Sequence, residues 1–176
     1  ENGYLWIATR GGLSRFNGTE FESIPLKYEV GTVFNGYTSM IADGKNASEL
    51  WLSTFRETII KLTKTEFKVY TRSDGVPGGT LMGVASDKYN DNYFLISNHL
   101  YTLKNDHIIR LNLDKEYKDA SVNALLIDEN GVSWCSIGDH IGTLIRGVFN
   151  SKFKLADSRI VICRAKEGGF WITSGK

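Results

Sequence analysis

Three observations predict an all-β chain, and within that class a partial β-propeller of about four blades. Short aromatic-aliphatic runs recur at a nearly fixed interval, glycine-rich and polar turns separate them, and amphipathic helical periodicity is absent through almost the whole chain. The runs are Leu5-Trp6-Ile7, Leu50-Trp51-Leu52, Tyr93-Phe94-Leu95, Ser133-Trp134-Cys135 and Phe170-Trp171-Ile172. Their central residues, Trp6, Trp51, Phe94, Trp134 and Trp171, serve as anchors separated by 45, 43, 40 and 37 residues. That interval suits a propeller blade of four antiparallel strands, whereas solenoid rungs repeat at about 20 to 30 residues.

Each element follows from its place in the period. A polar turn precedes every aromatic run, as Asp43-Gly44-Lys45-Asn46, the stretch 87–92 and Asp128-Glu129-Asn130-Gly131 do. After the run come a turn and a short apolar strand, at 13–16, 59–62, 100–103 and 143–146. A tight turn follows: Asn17-Gly18-Thr19, Thr63-Lys64-Thr65, Lys104-Asn105-Asp106 and Asn150-Ser151. Asn17-Gly18 suits a two-residue hairpin, because both central positions of that turn need positive φ. A further strand is expected at 21–24, 67–70, 107–111 and 153–155. A longer connection then leads to a mostly apolar strand at 36–42, 80–86, 121–127 and 159–165, before the next polar turn. Lys115-Glu116-Tyr117-Lys118-Asp119 reads as a solvated loop.

Stacked blades bury both faces of a middle strand, so such strands read as continuous apolar runs without clean alternation. The four Trp are therefore assigned to the core, filling the wedge between blades. Composition agrees: the chain has 176 residues, 18 Gly, 21 aromatics and 2 Pro. Its net charge of +1 argues against a nucleic-acid or membrane-surface protein held by bulk electrostatics. No apolar run reaches the ~18 residues of a membrane-spanning helix.

The stretch Asn2-Gly3-Tyr4-Leu5-Trp6-Ile7-Ala8-Thr9-Arg10-Gly11-Gly12-Leu13-Ser14-Arg15-Phe16-Asn17-Gly18 resembles the repeat of two-component regulator propellers. Tyr70-Thr71 with Asp74-Gly75-Val76-Pro77 resembles the link before the inner strand in that family. The second repeat, around Trp51, matches moderately, and the third and fourth are degraded. The resemblance implies a sensor module in the periplasmic or extracellular region of bacterial membrane receptors. Many of these are hybrid histidine kinases, and some are diguanylate cyclases. It also implies oligosaccharide as a ligand class and an intact ring of about seven blades. On that reading residues 1–176 belong to one propeller domain and carry no catalytic role themselves.

Strand order places the turn after each aromatic strand and the long inter-blade connection on one face of the ring. Arg10, Arg56, Arg72, Asp74, His99, Asp139 and His140 fall there and form the candidate ligand-facing rim. Turns favour such residues for local reasons as well. No Ser, His and Asp form a nucleophile motif, and no His-Glu pair has zinc spacing. Asp87, Asp91 and Asn92 offer oxygen ligands but lack the calcium-hand spacing, and a solvated turn is the expectation. Gly11-Gly12 and Gly78-Gly79 precede strands, so no phosphate-binding helix terminus is implied. No cofactor or metal is expected.

Cys135 and Cys163 are expected to be free and buried, although a disulfide is conceivable in an oxidising compartment. Asn17-Gly18-Thr19 and Asn46-Ala47-Ser48 match the glycosylation sequon and read as turn chemistry. Three functions remain in order: a ligand-sensing propeller of a signalling receptor, a surface assembly scaffold, and a glycan-active enzyme. The chain begins at Glu1, inside a blade, and stops after another aromatic strand. It is expected to be part of a ring, partnered by the parent's remaining blades or by a second copy.

Overall fold

The computed structural model describes residues 5–9, 12–24, 38–43, 49–54, 58–63 and 67–175. Arg10, Arg56, the Asn46 sequon and the expected turns at 44–46 and 64–65 lie outside the described residues. Five antiparallel sheets account for nearly all the described structure, in two compact units, residues 1–80 and 81–176.

In the first unit, β1 (Leu5–Thr9), β2 (Gly12–Phe16) and β3 (Phe21–Ile24) form a three-stranded sheet. β4 (Thr38–Asp43), β5 (Leu50–Thr54), β6 (Thr58–Leu62) and β7 (Phe67–Tyr70) form a four-stranded one. Leu13, Leu52 and Ile60 are buried between these sheets, with Trp6, Ile24 and Phe67 packed against them. In the second unit, β8 (Leu81–Ser86), β9 (Asn92–Ile96), β10 (His99–Lys104) and β11 (His107–Arg110) make one complete sheet. β12 (Val122–Ile127), β13 (Ser133–Ile137), β14 (His140–Ile145) and β15 (Val148–Lys154) make another. β16 (Ile160–Arg164) and β17 (Phe170–Ser174) form a two-stranded sheet. Every sheet meanders in chain order, and β12 packs beside both β8 and β16. The predicted four-stranded period is thus complete in three sheets and partial in the other two.

The middle strands behave as the packing argument requires. All five residues of β5 are buried, as are four of five in β9 and in β13. Tyr93, Leu95, Val122, Cys135, Ile137 and Leu144 centre the core of the second unit. Each of β4, β8 and β12 carries a register shift one residue in from its start, between Thr38 and Met40, Leu81 and Gly83, and Val122 and Ala124.

Register corrects the third anchor. Trp51 pairs with Ala42 and Trp134 with Leu126; counted from the bulge, the matching residue of the third blade is Tyr93, paired with Ala85. Phe94 is buried one position further along. Two turns also differ from expectation. Asn17 opens a four-residue loop between Phe16 and Phe21, its Oδ1 accepting from the Thr19 and Glu20 amides. The fourth hairpin turns at Arg146-Gly147, with φ of +50° and +78°, so Asn150-Ser151 sits inside β15. The left-handed pair matches the twist of its strands there, and Gly147 takes such a φ without steric cost.

Burial differs at three places. Trp171 is 70 % exposed, on the outward face of the two-stranded sheet, where Cys163 pairs with it and is exposed as well. Cys135 is free and buried, and burial pushes its thiol pKa up. The stretch 115–119 forms turns around a buried Tyr117, where a solvated loop was expected.

The largest surprise is Asp87, 1 % exposed, in a turn expected to be solvated. Its Oδ1 accepts from the Tyr89 and Asp91 amides at 2.8 and 3.1 Å. Its Oδ2 accepts from the Tyr93 hydroxyl at 2.8 Å and from the Arg146 amide of the next blade at 2.8 Å. The Tyr93 hydroxyl in turn accepts from the Gly147 amide at 2.8 Å. Asp128 repeats the local half of this arrangement, accepting from the Asn130 and Val132 amides and from Trp134 Nε1 at 2.9 Å. Burial alone raises the Asp87 pKa; the Arg146 amide, the Tyr93 hydroxyl and the Asp91 and Tyr89 amides outweigh it, so the net shift is downward.

Three predictions follow from this packing. Gly142 lies where an added Cβ would overlap the Asn150 carbonyl. Gly142→Ala should cost about 1–3 kcal/mol in urea unfolding, as overpacking does. Asp87→Ala leaves buried amides unsatisfied and should cost about 3 kcal/mol. The sign of its pH dependence is fixed. A carboxylate with a depressed folded pKa stabilises fully above the unfolded value of about 3.9, and that contribution disappears as pH falls through the folded pKa. Acid titration of stability should therefore be shallower in Asp87→Asn than in the parent.

Candidate functional site

The rim residues divide between the two units. In the first, Arg72 and Asp74 lie in a single 3-10 turn, Arg72–Asp74, in the connection after β7. Asp74 Oδ2 accepts from the Thr71 amide at 2.8 Å and from Thr71 Oγ1 at 3.1 Å, closing a capping box. That carboxylate caps its own turn, and Arg72 is exposed beside it.

In the second unit, His99 and His140 occupy matching positions, each the first residue of its blade's third strand. His99 follows the tight turn Ser97-Asn98, where both φ are positive, and pairs with Ile96. His140 follows Gly138-Asp139 and pairs with Ile137. The connection 111–121 between β11 and β12 lies at the same end. It is fastened by Leu111 N to Leu100 O at 2.8 Å, Val122 N to Asn98 O at 3.0 Å and Gly138 N to Ser121 O at 2.8 Å. These bonds join the turns bearing His99 and His140 to one connection, as strand order predicted.

The two histidines have different surroundings. His140 Nδ1 lies 2.8 Å from Asp139 Oδ1, and Lys154 Nζ lies 3.5 Å from Asp139 Oδ2. The His140 ring meets Tyr117 edge-on at 5.3 Å, and Tyr117 meets Phe149 edge-on at 5.0 Å. His140 and Asp139 thus brace the connection. His99 Nδ1 lies 3.1 Å from Arg110 Nη2. A guanidinium only donates, so Nδ1 is the acceptor and a neutral ring holds its proton on Nε2.

A cavity of about 350 Å³ opens beside His99. Its polar lining is His99, Arg110, Asn112, Lys118 and Asp119; Leu100, Leu111, Leu113, Ala120 and Val122 supply the apolar part. The volume is at the lower end of small-molecule sites. Of the rim residues named from sequence, His99 lines this cavity, whereas Asp139 and His140 do not. Arg110, Asn112, Lys118 and Asp119 were missed. Arg110 is the last residue of β11, paired with Tyr101; the signal for the other three was the length of the connection after β11, at the end where His99 was already placed.

Tyr117 anchors that connection to the core. Tyr117→Ala should cost about 3 kcal/mol. It should also speed amide hydrogen exchange across residues 111–121 more than in β9 or β13, as measured by mass spectrometry.

No family model matches the chain, and no curated protein matches it. Solved structures do. The extracellular domain of BT4673 from B. thetaiotaomicron, described as a proposed one-component and as a proposed hybrid two-component system, superposes with a TM-score of 0.71 at 19 % identity. The match covers 97 % of this chain and 25 % of that one, so this chain spans about a quarter of its length. Virginiamycin B lyase from Staphylococcus aureus matches with a TM-score of 0.63 at 16 % identity, over 98 % of this chain and 64 % of the lyase. The β-propeller domain of Cps50 (Swd1) from Myceliophteria thermophila gives 0.59 at 9 % identity, over 100 % of this chain and 68 % of that domain. At these identities the likeness concerns the fold, and the fold is that of a β-propeller segment.

Proposed function

We propose that the chain is part of the ligand-sensing, extracytoplasmic propeller of a bacterial transmembrane signalling receptor of the hybrid histidine kinase type. The observation that carries this reading is the match of 97 % of the chain to the extracellular domain of BT4673, described as a proposed hybrid two-component system. The repeat at 2–18, which resembles two-component regulator propellers, supports it independently. In this role a ligand is held at the end of the second unit formed by the 97–98 turn and the 111–121 connection. Binding shifts the receptor between signalling states by as much as the ligand's affinities for the two states differ. The other blades of the ring come from the parent chain, and a small oligosaccharide is the ligand class that the resemblance implies.

The likeness to a lyase favours one rival, a propeller enzyme. Fold likeness alone assigns no chemistry, since unrelated functions share folds. Alkaline phosphatase fused after this segment in the full-length protein should be active, marking an extracytoplasmic location. The same reading frame should encode a membrane span and a kinase, cyclase or DNA-binding output domain. A full-length protein with neither span nor output domain would overturn the sensor reading.

A further inference from the structure

We infer that the cavity beside His99 is a binding site for a small polyhydroxylated carboxylate, with Arg110 and Lys118 receiving the carboxylate. This rests on the sensing role proposed above and names the ligand chemistry of that site. The polar lining sets two permanent cations, Arg110 and Lys118, against one carboxylate, Asp119. Among the described residues Arg110 has no carboxylate partner, and its contact is the neutral acceptor His99 Nδ1. No hydrogen bond or ion pair within those residues engages the side chains of Lys118, Asn112 or Asp119.

Elsewhere on the same unit Lys154 lies near Asp139, and Arg159 pairs with Asp157 at 3.2 Å. The cavity lining holds two cations to one carboxylate in a concave, partly apolar setting, where an anion is attracted more strongly than on open surface. A guanidinium offers a planar fork that fits the two oxygens of a carboxylate, and an ammonium adds a point charge. The contact to His99 holds Arg110 in place before a ligand arrives, which lowers the ordering cost of binding.

The remaining polar groups select the rest of the ligand. Asp119 accepts hydrogen bonds and repels a second anionic group, so it suits hydroxyls. Asn112 both donates and accepts, which also suits hydroxyls. The aliphatic lining from Leu111, Leu113 and Val122 fits the C–H faces of a compact ring or chain. A monoanion of roughly one sugar's size satisfies all these groups, whereas a neutral polyol leaves the two cations unmatched.

The test compares D-glucuronate with D-glucose, two probes that differ at the carboxylate, on the purified protein by NMR titration and calorimetry. D-gluconate and D-galacturonate serve as further hydroxy acids. Saturable binding of at least one hydroxy acid is expected, with amide shifts confined to residues 97–100 and 110–122. Glucose should bind at least tenfold more weakly than glucuronate. Arg110→Gln and Lys118→Gln, both at surface positions, should keep the parent's melting temperature and each weaken binding about tenfold or more. Arg110→Lys should recover part of the loss. The inference is overturned if none of the three acids binds up to about 10 mM, a limit near 3 kcal/mol of binding free energy. It is also overturned if glucose binds as well as glucuronate, or if both Gln variants bind like the parent. Such results would leave the receptor reading standing, since that reading is tested by membrane topology and the output domain.

Discussion

The carboxylate of Asp87 is the constraint on which the second unit depends. It is buried in a turn of one blade yet accepts a hydrogen bond from the Arg146 amide in the hairpin of the next. Hydrophobic packing between blades is strong but has little direction, since one apolar sheet face can slide over another. A hydrogen bond to one named amide fixes where the two sheets stop. Tyr93 reinforces the lock, donating to Asp87 while accepting from Gly147. The phenol must therefore stay protonated; burial, with the Asp87 carboxylate beside it, raises its pKa.

This lock explains why the hairpin turns at Arg146-Gly147. Both residues adopt positive φ, directing successive amides toward the preceding blade. Arg146 also covers the Tyr89 ring at 4.1 Å, so its side chain closes over the turn that its backbone fastens. At the opposite end of the strands, three backbone hydrogen bonds hold the connection 111–121 against the His99 and His140 turns. One end is thus a clamp and the other a concave surface, with β9 and β10 as the stiff link between them.

Much of this was legible in the sequence. The blade interval, the four-strand period and the shared end of His99 and His140 all followed from spacing and strand order. The failures have physical causes. Tyr93 and Phe94 are adjacent aromatics, and spacing alone does not say which faces which side; a one-residue slip exchanges the faces. The better marker was an aspartate six residues ahead of the aromatic, as Asp87 is to Tyr93 and Asp128 to Trp134. Asn150-Ser151 resembles a turn, but the lock needs the amides of residues 146 and 147 in that position. Arg110, at the end of β11, and Lys118 were missed because long-range backbone bonds set the path of the connection that follows β11. The Trp171 assignment failed because wedge packing needs a sheet on each side, and the outward face of β16 and β17 is uncovered among the described residues.

The register shifts in β4, β8 and β12 recur at one place in the period. Each leaves a single residue, Ser39, Met82 or Asn123, outside the pairing of its sheet. Met82 is exposed, and Asn123 Nδ2 donates to the Ser158 carbonyl at 2.6 Å, across to the following blade. In the second unit each complete blade thus holds one position, Met82 or Asn123, that the ladder does not dictate. Such positions can change one at a time, so these sheets can acquire new surface chemistry with their ladders and core left intact.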